Sequence, residues 1–542
     1  MPFYRSHILI CNATPCVLKG SRAVEAALKE EIRLNGLEDE IRVVETGCLG
    51  ISECGPVIVI YPEGTIYCNL TPQDAGEIVR EHLLNGRIVQ RLLYRAPELA
   101  KKAFKAPEIP FVARQQRIVL RNAGVINPES IEEYIANNGY EALGKALTSM
   151  SPEDVIEEVK KSNLRGRGGA AFPTGIKWEA TRNATGQPKT VICNADEGEP
   201  GNFKDRLIME GDPHSIIEAM IIAGYAVGAN KGYIYVRGEY KQSIEKLNKA
   251  IEDAKQMNLL GENIFDSGFN FDIEVFKGAG AYVCGEETAL IESLEGRRGE
   301  SMVKPPYPPT QGLWGAPTVI NNVETLANIP QIILNGADWF NSIGTERSKG
   351  TKIFTPCGDV LQPGVIEVPF GTTMREILYE MAGGTKSGKD IKAVLIGGPS
   401  GICVGKESLD RRFAYEDLPP GAGALIVIDE DKCIVDLVHN CLEFFVHESC
   451  GQCIPCREGT KRMLEIASNW INGEGKPGDV ELMQELANNL AVSSRCGLGQ
   501  FAGTAFATSY KLFSDEYLAH VADGECPTGV CTMGNGKDGK DG

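Results

Sequence analysis

Cys450, Cys453 and Cys456 are spaced C-x2-C-x2-C in ESCGQCIPCREG, and Cys496 follows downstream in SSRCGLGQ. This run constrains the chain more than any other feature. Three thiolates on one short turn can each take an iron of a single cubane, and a distant fourth can close it. Structural zinc sites use two CxxC-type pairs or a Cys/His mixture instead. The spacing therefore predicts a [4Fe–4S] cluster rather than zinc or a disulfide-rich loop. A chain built round such a cluster has to bring electrons to it or take them away.

A chain of 542 residues exceeds one hydrophobic core, and roughly three to five domains follow. The longest apolar runs, such as VIVIY from Val57 to Tyr61, are far too short to span a bilayer. The N-terminal MPFYRSHILICNATPC lacks the apolar stretch of a secretory signal. The expectation is a cytoplasmic chain without membrane insertion. A net charge of −18 speaks against a nucleic-acid partner. Seventeen cysteines in a reducing compartment point to metal ligation more than to disulfides. Cys11, Cys16, Cys48 and Cys54 form an early set; Cys433, Cys526 and Cys531 form a set around the late cluster motif. Cys68, Cys193, Cys284, Cys357, Cys403 and Cys441 read as small buried hydrophobes.

Residues 1–95 read as strand, helix, strand, hairpin and helix, a thioredoxin-like order. Four cysteines at its strand ends and loops could converge on a two-iron cluster. ETGCLGISECGP resembles the cluster loop of thioredoxin-like [2Fe–2S] ferredoxins, TGCxGxC, with Ser52 where the last cysteine is expected and Cys54 two residues later. The ligand set implied is Cys11, Cys16, Cys48 and Cys54. Residues 96–127 are polar and Pro-containing and read as a linker. Helical segments follow around Ser130 to Leu147 and Pro152 to Ser162, the second opened by a Ser151 cap.

LRGRGGAAFPTGIKW, from Leu164 to Trp178, is glycine-rich without being GxGxxG or a Walker loop. Gly166 and Gly168 leave room for close backbone approach, and Arg167 and Lys177 offer charge to a phosphate. A plain tight turn would read the same way. VICNADEGEPGNFKDR then places Asn194, Asp196, Glu197 and Glu199 at the carboxyl end of a buried strand, where open α/β sheets bind ligands. A second Gly-rich turn (Tyr282, Gly285) leads into a helix opened by Glu286 and Glu287, carboxylates that also simply suit the helix dipole. PTVINNVETL supplies Asn321 and Asn322.

Together with the late cysteines, these blocks resemble the flavin-bearing NADH-oxidising subunit of respiratory complex I and its relatives in NAD-linked hydrogenases and formate dehydrogenases. The resemblance covers about Leu164 to Cys531. It implies FMN held by Gly166, Arg167, Gly168, Lys177, Asn194, Asp196, Glu197, Tyr282, Gly285, Glu286, Asn321 and Asn322. It implies NAD(H) beside Phe172, Glu199, Glu287, Lys304 and Tyr307. Ala180 stands where the family often has an aromatic residue, and Tyr307 where many members have Phe. Acidic residues near a ribose disfavour the 2′-phosphate of NADP, so NAD is the expected coenzyme.

The fold expected is α/β and multidomain: a thioredoxin-like [2Fe–2S] domain (1–95), the linker (96–127), a Rossmann-like FMN/NAD domain (128–345), a β-grasp domain (346–425), a helical bundle carrying the [4Fe–4S] cluster (426–521), and a terminal segment (522–542). The β-grasp assignment comes from resemblance to the soluble-ligand-binding domain of the same family. Its Gly397, Gly398 and Gly401 read as turn residues with no chemistry. Cys433, His520, Cys526 and Cys531 could bind zinc tetrahedrally, and GNGKDGKDG reads as a flexible tail.

A nicotinamide gives up two electrons as a hydride, an iron–sulfur cluster takes one at a time, and a flavin can do both. The expected function is exchange of hydride between NAD(H) and FMN, with single electrons passing through the clusters to or from a partner. Fusion of the thioredoxin-like domain resembles the NAD-linked subunit of multimeric [FeFe]-hydrogenases, including bifurcating ones. The implied partners are a hydrogenase catalytic subunit and a small thioredoxin-like [2Fe–2S] subunit. A formate dehydrogenase subunit or a complex I-like subunit are the neighbouring alternatives. A flavin-free iron–sulfur scaffold is the alternative of another class.

Overall fold

The computed structural model describes residues 4–95, 102, 103, 105, 109–531 and 533. The expected GNGKDGKDG tail and the stretch 96–101 of the expected linker lie outside them.

In the first domain, β1 (Ser6–Cys11) pairs in parallel with β2 (Ile41–Thr46) and antiparallel with β3 (Ile58–Tyr61), and β4 (Thr65–Tyr67) completes a sheet ordered β2-β1-β3-β4. Between β1 and β2 the helix Ser21–Leu34 buries Val24, Leu28 and Ile32, one stripe at four-residue spacing. The result is thioredoxin-like. A two-residue ladder joins β5 (Tyr94–Arg95) to β6 (Lys102–Ala103).

The residues after 108 correct the linker expectation. Ile109 and Phe111 are buried in one core with strands of the β-grasp domain. The N–H groups of Ile118, Val119 and Leu120 all donate to the buried Glu367 carboxylate, at 3.0, 3.0 and 2.8 Å. Local polarity suggested a linker; a carboxylate almost 250 positions away satisfies those backbone donors.

The second domain is a parallel sheet of β7 (Thr190–Ala195), β8 (Lys231–Arg237), β9 (Asp272–Gly278) and β10 (Thr318–Asn322), ordered β10-β7-β8-β9. The crossover helix Pro213–Val227 is apolar nearly all round and nearly all buried, as a helix enclosed between layers must be. Gly228, at φ +79°, ends it. The expected helix 130–147 is broken into Ile131–Ala136 and Glu141–Ser149, where Asn138 and Tyr140 take positive φ.

The third domain has the β-grasp order β12-β11-β15-β13-β14, built from β11 (Thr351–Gly358), β12 (Ile366–Pro369), β13 (Ile391–Ile396), β14 (Ile402–Gly405) and β15 (Ala424–Asp429). Helices Ile434–Glu448, Ile454–Ile471, Asp479–Ser493 and Thr504–Leu518 form the bundle. The second begins at Ile454, inside the cysteine run, since Pro455 is tolerated in a first turn. Cys453 becomes its N-cap and Cys456 lies in its first turn.

Candidate functional site

Parallel pairing sets Asn322 opposite Asn194 and Asn321 opposite Cys193, so the β7 and β10 carboxyl ends form one rim. The 164–173 loop folds over that rim. It is closed by the Gly166 N–H to the Phe172 carbonyl at 2.9 Å. A Cβ on Gly168 would stand 3.0 Å from Asn322 Cβ, so only a bare backbone lies this close. The second loop is joined from the other side: Asn194 Nδ2 donates to the Gly285 carbonyl at 2.8 Å.

Asp196 occupies the middle of this rim. Its side chain is 2 % exposed, Arg237 Nε is 3.9 Å away, and neither carboxylate oxygen has a hydrogen-bond partner. Burial pushes its pKa up to about 7. Buried carboxylates are normally saturated with donors, so this one suits a ligand that brings hydroxyl or N–H donors with it.

Beside Asp196 lies a charged wall. Lys304 Nζ stands 2.7 Å from Glu286 and 2.8 Å from Glu287, and Lys177 Nζ stands 3.3 Å from Glu287 and 3.2 Å from the Ile320 carbonyl. Lys177 and then Lys304 hold the Glu287 carboxyl below its usual range despite burial. Phe172 and Tyr307 are half exposed at the opening, aromatic faces suited to stacking a planar ring.

Several side chains expected to face a ligand are turned inward. Arg167, 1 % exposed, donates to the carbonyls of Arg165, Lys349 and Thr351 and lies 4.8 Å over the Phe370 ring. That corrects the reading of it as a phosphate charge: three carbonyls already use its donors. Glu197 accepts from the Asp205 and Arg206 N–H groups and caps a helix start. Asn321 accepts from Trp178 Nε1 at 2.8 Å, Asn322 donates to Asp205 at 2.6 Å, and Glu286 caps the helix Glu287–Leu294. These residues shape the cleft through their backbones and packing.

The second loop also touches the cluster motif. Tyr282 N–H donates to Glu448 Oε2 at 2.9 Å, and its ring packs edge-on against Phe444, 5.1 Å between centroids. Both belong to the helix that ends at the cluster turn. Cys456 is buried, and Cys450, Cys453 and Cys496 all lie within its electrostatic reach; burial pushes its thiol up to about 11. Arg298 donates to the Cys450 carbonyl at 2.6 Å and Arg457 to the Gly451 carbonyl at 2.8 Å. Four thiols converging amid arginines, three of them (Cys453, Cys456 and Cys496) at helix starts, suit an anionic cluster.

In the first domain Cys11 is hydrogen-bonded to Cys16 and Cys48. Cys54 is paired with Cys68 instead. Cys68, which its sequence context presents as a packing residue, is therefore a fifth thiol of this region, and Cys16 lies within its electrostatic reach. Sequence distance hid it: strand β4 carries it back to the loop. The donor set fits a two-iron cluster with one thiol to spare. The 47–50 loop is pressed onto the other domains. A Cβ on Gly47 would meet Gly211 Cα at 2.5 Å, and Val365 N–H donates to the Gly50 carbonyl at 3.2 Å.

Cys433, His520, Cys526 and Cys531 present their ligand atoms within 4.8 Å of one another. Cys433 Sγ is 3.4 Å from His520 Nε2, and Cys531 Sγ is 3.5 Å from each of them. A tetrahedron with zinc bonds of 2.0–2.3 Å has edges of roughly 3.5–3.8 Å. His520 Nδ1 meets the Glu516 carbonyl at 2.7 Å, which fixes the ring so that Nε2 faces the sulfurs.

Comparison with known proteins agrees with this layout. Family models match in three places: thioredoxin-like [2Fe–2S] ferredoxin over residues 1–83, the Nuo51 FMN-binding domain over 159–331, and the NADH-ubiquinone oxidoreductase-F iron–sulfur binding region over 436–520. The chain is 51% identical over 424 residues to the NADP-reducing hydrogenase subunit HndC of Solidesulfovibrio fructosivorans, covering 77% of this chain and 86% of that one. It is 45% identical to the F 2 subunit of NADH-quinone oxidoreductase from Rhizobium meliloti (strain 1021), covering 76% and 99%. Its fold matches a crystal structure of NAD+-reducing [NiFe]-hydrogenase in the H2-reduced state at a TM-score of 0.69 and 31% identity, covering 96% of this chain and 85% of that one.

The chain belongs to the family of FMN-bearing, iron–sulfur NADH-oxidising subunits shared by complex I-type oxidoreductases and NAD(P)-linked hydrogenases. It is an electron-transferring oxidoreductase subunit of the diaphorase type, with FMN, [4Fe–4S] and [2Fe–2S] domains. Among the described residues, no helix is long and apolar enough to cross a membrane.

Proposed function

We propose that this chain is the NAD(H)-exchanging subunit of a hydrogenase complex. A nicotinamide nucleotide binds over the rim of β7 and β10, and a catalytic hydrogenase subunit exchanges electrons with the iron–sulfur sites. The observation that carries the reading is the buried Asp196 carboxylate, which has no hydrogen-bond partner, set in a cleft whose loop also holds the helix leading to Cys450. Bound there, FMN supplies two-electron exchange with a nicotinamide and one-electron exchange with a cluster. The protein's part is placement. Asp196 and Asn194 meet the polar flavin edge. Gly166 and Gly168 let the backbone lie against it, and Lys177 and Lys304 balance the carboxylates around it. Phe172 and Tyr307 flank the nicotinamide nucleotide, with Glu199 and Glu287 beside it.

Cys450, Cys453, Cys456 and Cys496 hold the [4Fe–4S] cluster, and Cys11, Cys16, Cys48 and Cys54 hold the two-iron cluster. Cys433, His520, Cys526 and Cys531 hold a structural zinc that ties the segment after residue 521 to the bundle. The hydrogenase partner is favoured by the hydrogenase relative from Solidesulfovibrio fructosivorans and by the fold match to an NAD+-reducing hydrogenase. The test is purification of the native complex with NADH titration of its visible spectrum. Flavin bleaching with a copurifying hydrogenase subunit is expected. A molybdenum or tungsten subunit instead would assign the complex to formate, and no flavin would return the chain to a scaffold.

A further inference from the structure

We propose that Lys246 of the second domain tunes the two-iron cluster of the first, its ammonium raising the reduction potential of that cluster. The inference rests on the reading of Cys11, Cys16 and Cys48 as cluster ligands. The second domain grips the turn between the first two of them. Glu210, near the end of the helix Lys204–Gly211 and 1 % exposed, accepts from the Thr14 N–H at 2.8 Å and from the Thr14 hydroxyl at 2.6 Å. Gln242, on the helix Lys241–Gln256, donates through Nε2 to the Asn12 carbonyl at 2.5 Å. Its Oε1 lies 2.9 Å from Thr14 Oγ1. Gly211 is pressed against Gly47, the neighbour of Cys48, so both ligand loops rest on this corner. Lys246 stands one turn beyond Gln242 on the same helix face. It is 5 % exposed, and its Nζ donates to the Glu210 carbonyl at 3.1 Å. Among the described residues that is the one hydrogen bond of its ammonium, and it forms no ion pair.

A buried ammonium is rarely left without a counter-charge. Burial works against the Lys246 cation; the Glu129, Glu210 and Glu45 carboxylates and the Cys11 thiol, all within electrostatic reach, work for it. Cys11 is in turn hydrogen-bonded to Cys16 and Cys48, so a charge felt at Cys11 is felt by the whole ligand group. A two-iron cluster on thiolates is an anion, and reduction adds one more negative charge. A cation beside it favours the reduced form, and net charge is among the factors that set cluster potentials. A unit charge roughly 10 Å away through an effective dielectric of about 20 changes such an equilibrium on the order of tenfold. Without Lys246 the three carboxylates bear on the cluster unopposed. The domain that holds the flavin cleft thus sets how readily the first domain's cluster accepts an electron.

The test is a redox titration of the full-length holoprotein at neutral pH, followed by electron paramagnetic resonance, for the wild type, Lys246→Gln, Lys246→Met and Lys246→Arg. Gln keeps a donor for the Glu210 carbonyl, Met keeps the bulk, and Arg keeps the charge. In both neutral variants the ratio of reduced to oxidised two-iron cluster at a fixed ambient potential should fall about tenfold, ~59 mV for a one-electron couple. Lys246→Arg should stay close to wild type. The flavin and [4Fe–4S] couples should not move, and FMN and iron contents should match wild type. An unmoved two-iron couple in a neutral variant that keeps the cluster overturns the proposal. So does an equal shift in Lys246→Arg, or loss of the cluster in both neutral variants, which would make Lys246 architectural. A wild-type protein without a two-iron signal, or one that keeps it unaltered in Cys11→Ser, would instead overturn the ligand reading itself, so the two failures are distinguishable.

Discussion

The Tyr282 N–H donates to Glu448 Oε2 at 2.9 Å, and this bond joins the loop of the flavin cleft to the last residue of the helix that delivers Cys450. With the Tyr282 ring against Phe444, it makes the mounts of the two redox sites one unit. A hydrogen bond to a charged group contributes about 1.5–3 kcal/mol. Glu448→Ala should therefore lower the melting temperature and loosen the spacing of the sites. In stopped-flow spectra, NADH should still bleach flavin at the wild-type rate while cluster reduction lags. Equal slowing of both signals would count against the coupling.

Cys453→Ala should remove the outlet and spare the inlet. Iron content should fall by about four atoms per chain, and NADH should still bleach the flavin. Transfer to the native partner should drop at least a hundredfold. Loss of flavin reduction with an intact fold would show that the cluster is not the outlet.

Elemental analysis should find about one zinc per chain, and Cys531→Ser or His520→Ala should abolish it. Metal binding to a preformed site is linked to folding. Chelation should therefore speed proteolysis after residue 521 and leave the flavin spectrum unchanged. A chain that purifies without zinc and resists proteolysis there would refute the assignment.

Asp196 gives a pH signature in the flavin-stripped protein. Its folded pKa, about 7, lies above the usual carboxylate value of 3.8. The folded state thus binds the extra proton, and that stabilisation is complete below about pH 4 and lost as pH rises through 7. Asp196→Asn should cancel this slope. Stripped Asp196→Asn should be more stable than stripped wild type at pH 8, by on the order of a few kcal/mol, with the gap closing toward pH 4. FMN affinity should fall. A constant gap across pH would show that Asp196 is not the titrating group.

The Cys54–Cys68 pair offers two candidates for the fourth place beside Cys11, Cys16 and Cys48. Cys54→Ser should abolish the two-iron electron paramagnetic resonance signal, and Cys68→Ser should retain it with altered line shape. The reverse outcome would move the ligand from the loop to the strand end.

The cysteine run at 450–456 was readable because its ligands lie within two helical turns; local spacing alone decides what metal they can share. The same holds for the parallel sheet, whose strands are short apolar runs with acidic and amide residues at their carboxyl ends. Ser400 was not readable. GGPSG is a turn in any protein, and nothing near it in sequence says that it faces Glu199. Arg167 was misjudged for the same reason: a charge in a Gly-rich loop says nothing about which acceptors surround it.

Hydrophobic periodicity and ligand spacing, both local properties, determined the thioredoxin-like start and the cubane motif, while the β-grasp part was legible only through its family resemblance. Only the tertiary structure decided which donors each side chain spends inside the protein. It buried Arg167 among carbonyls, left the Asp196 carboxylate without a hydrogen-bond partner, and set Cys68 beside Cys54. It also fastened the 118–120 backbone onto the Glu367 carboxylate. The reason is that hydrogen-bond satisfaction of buried groups is settled by the whole packed chain, and residues hundreds of positions apart supply the partners.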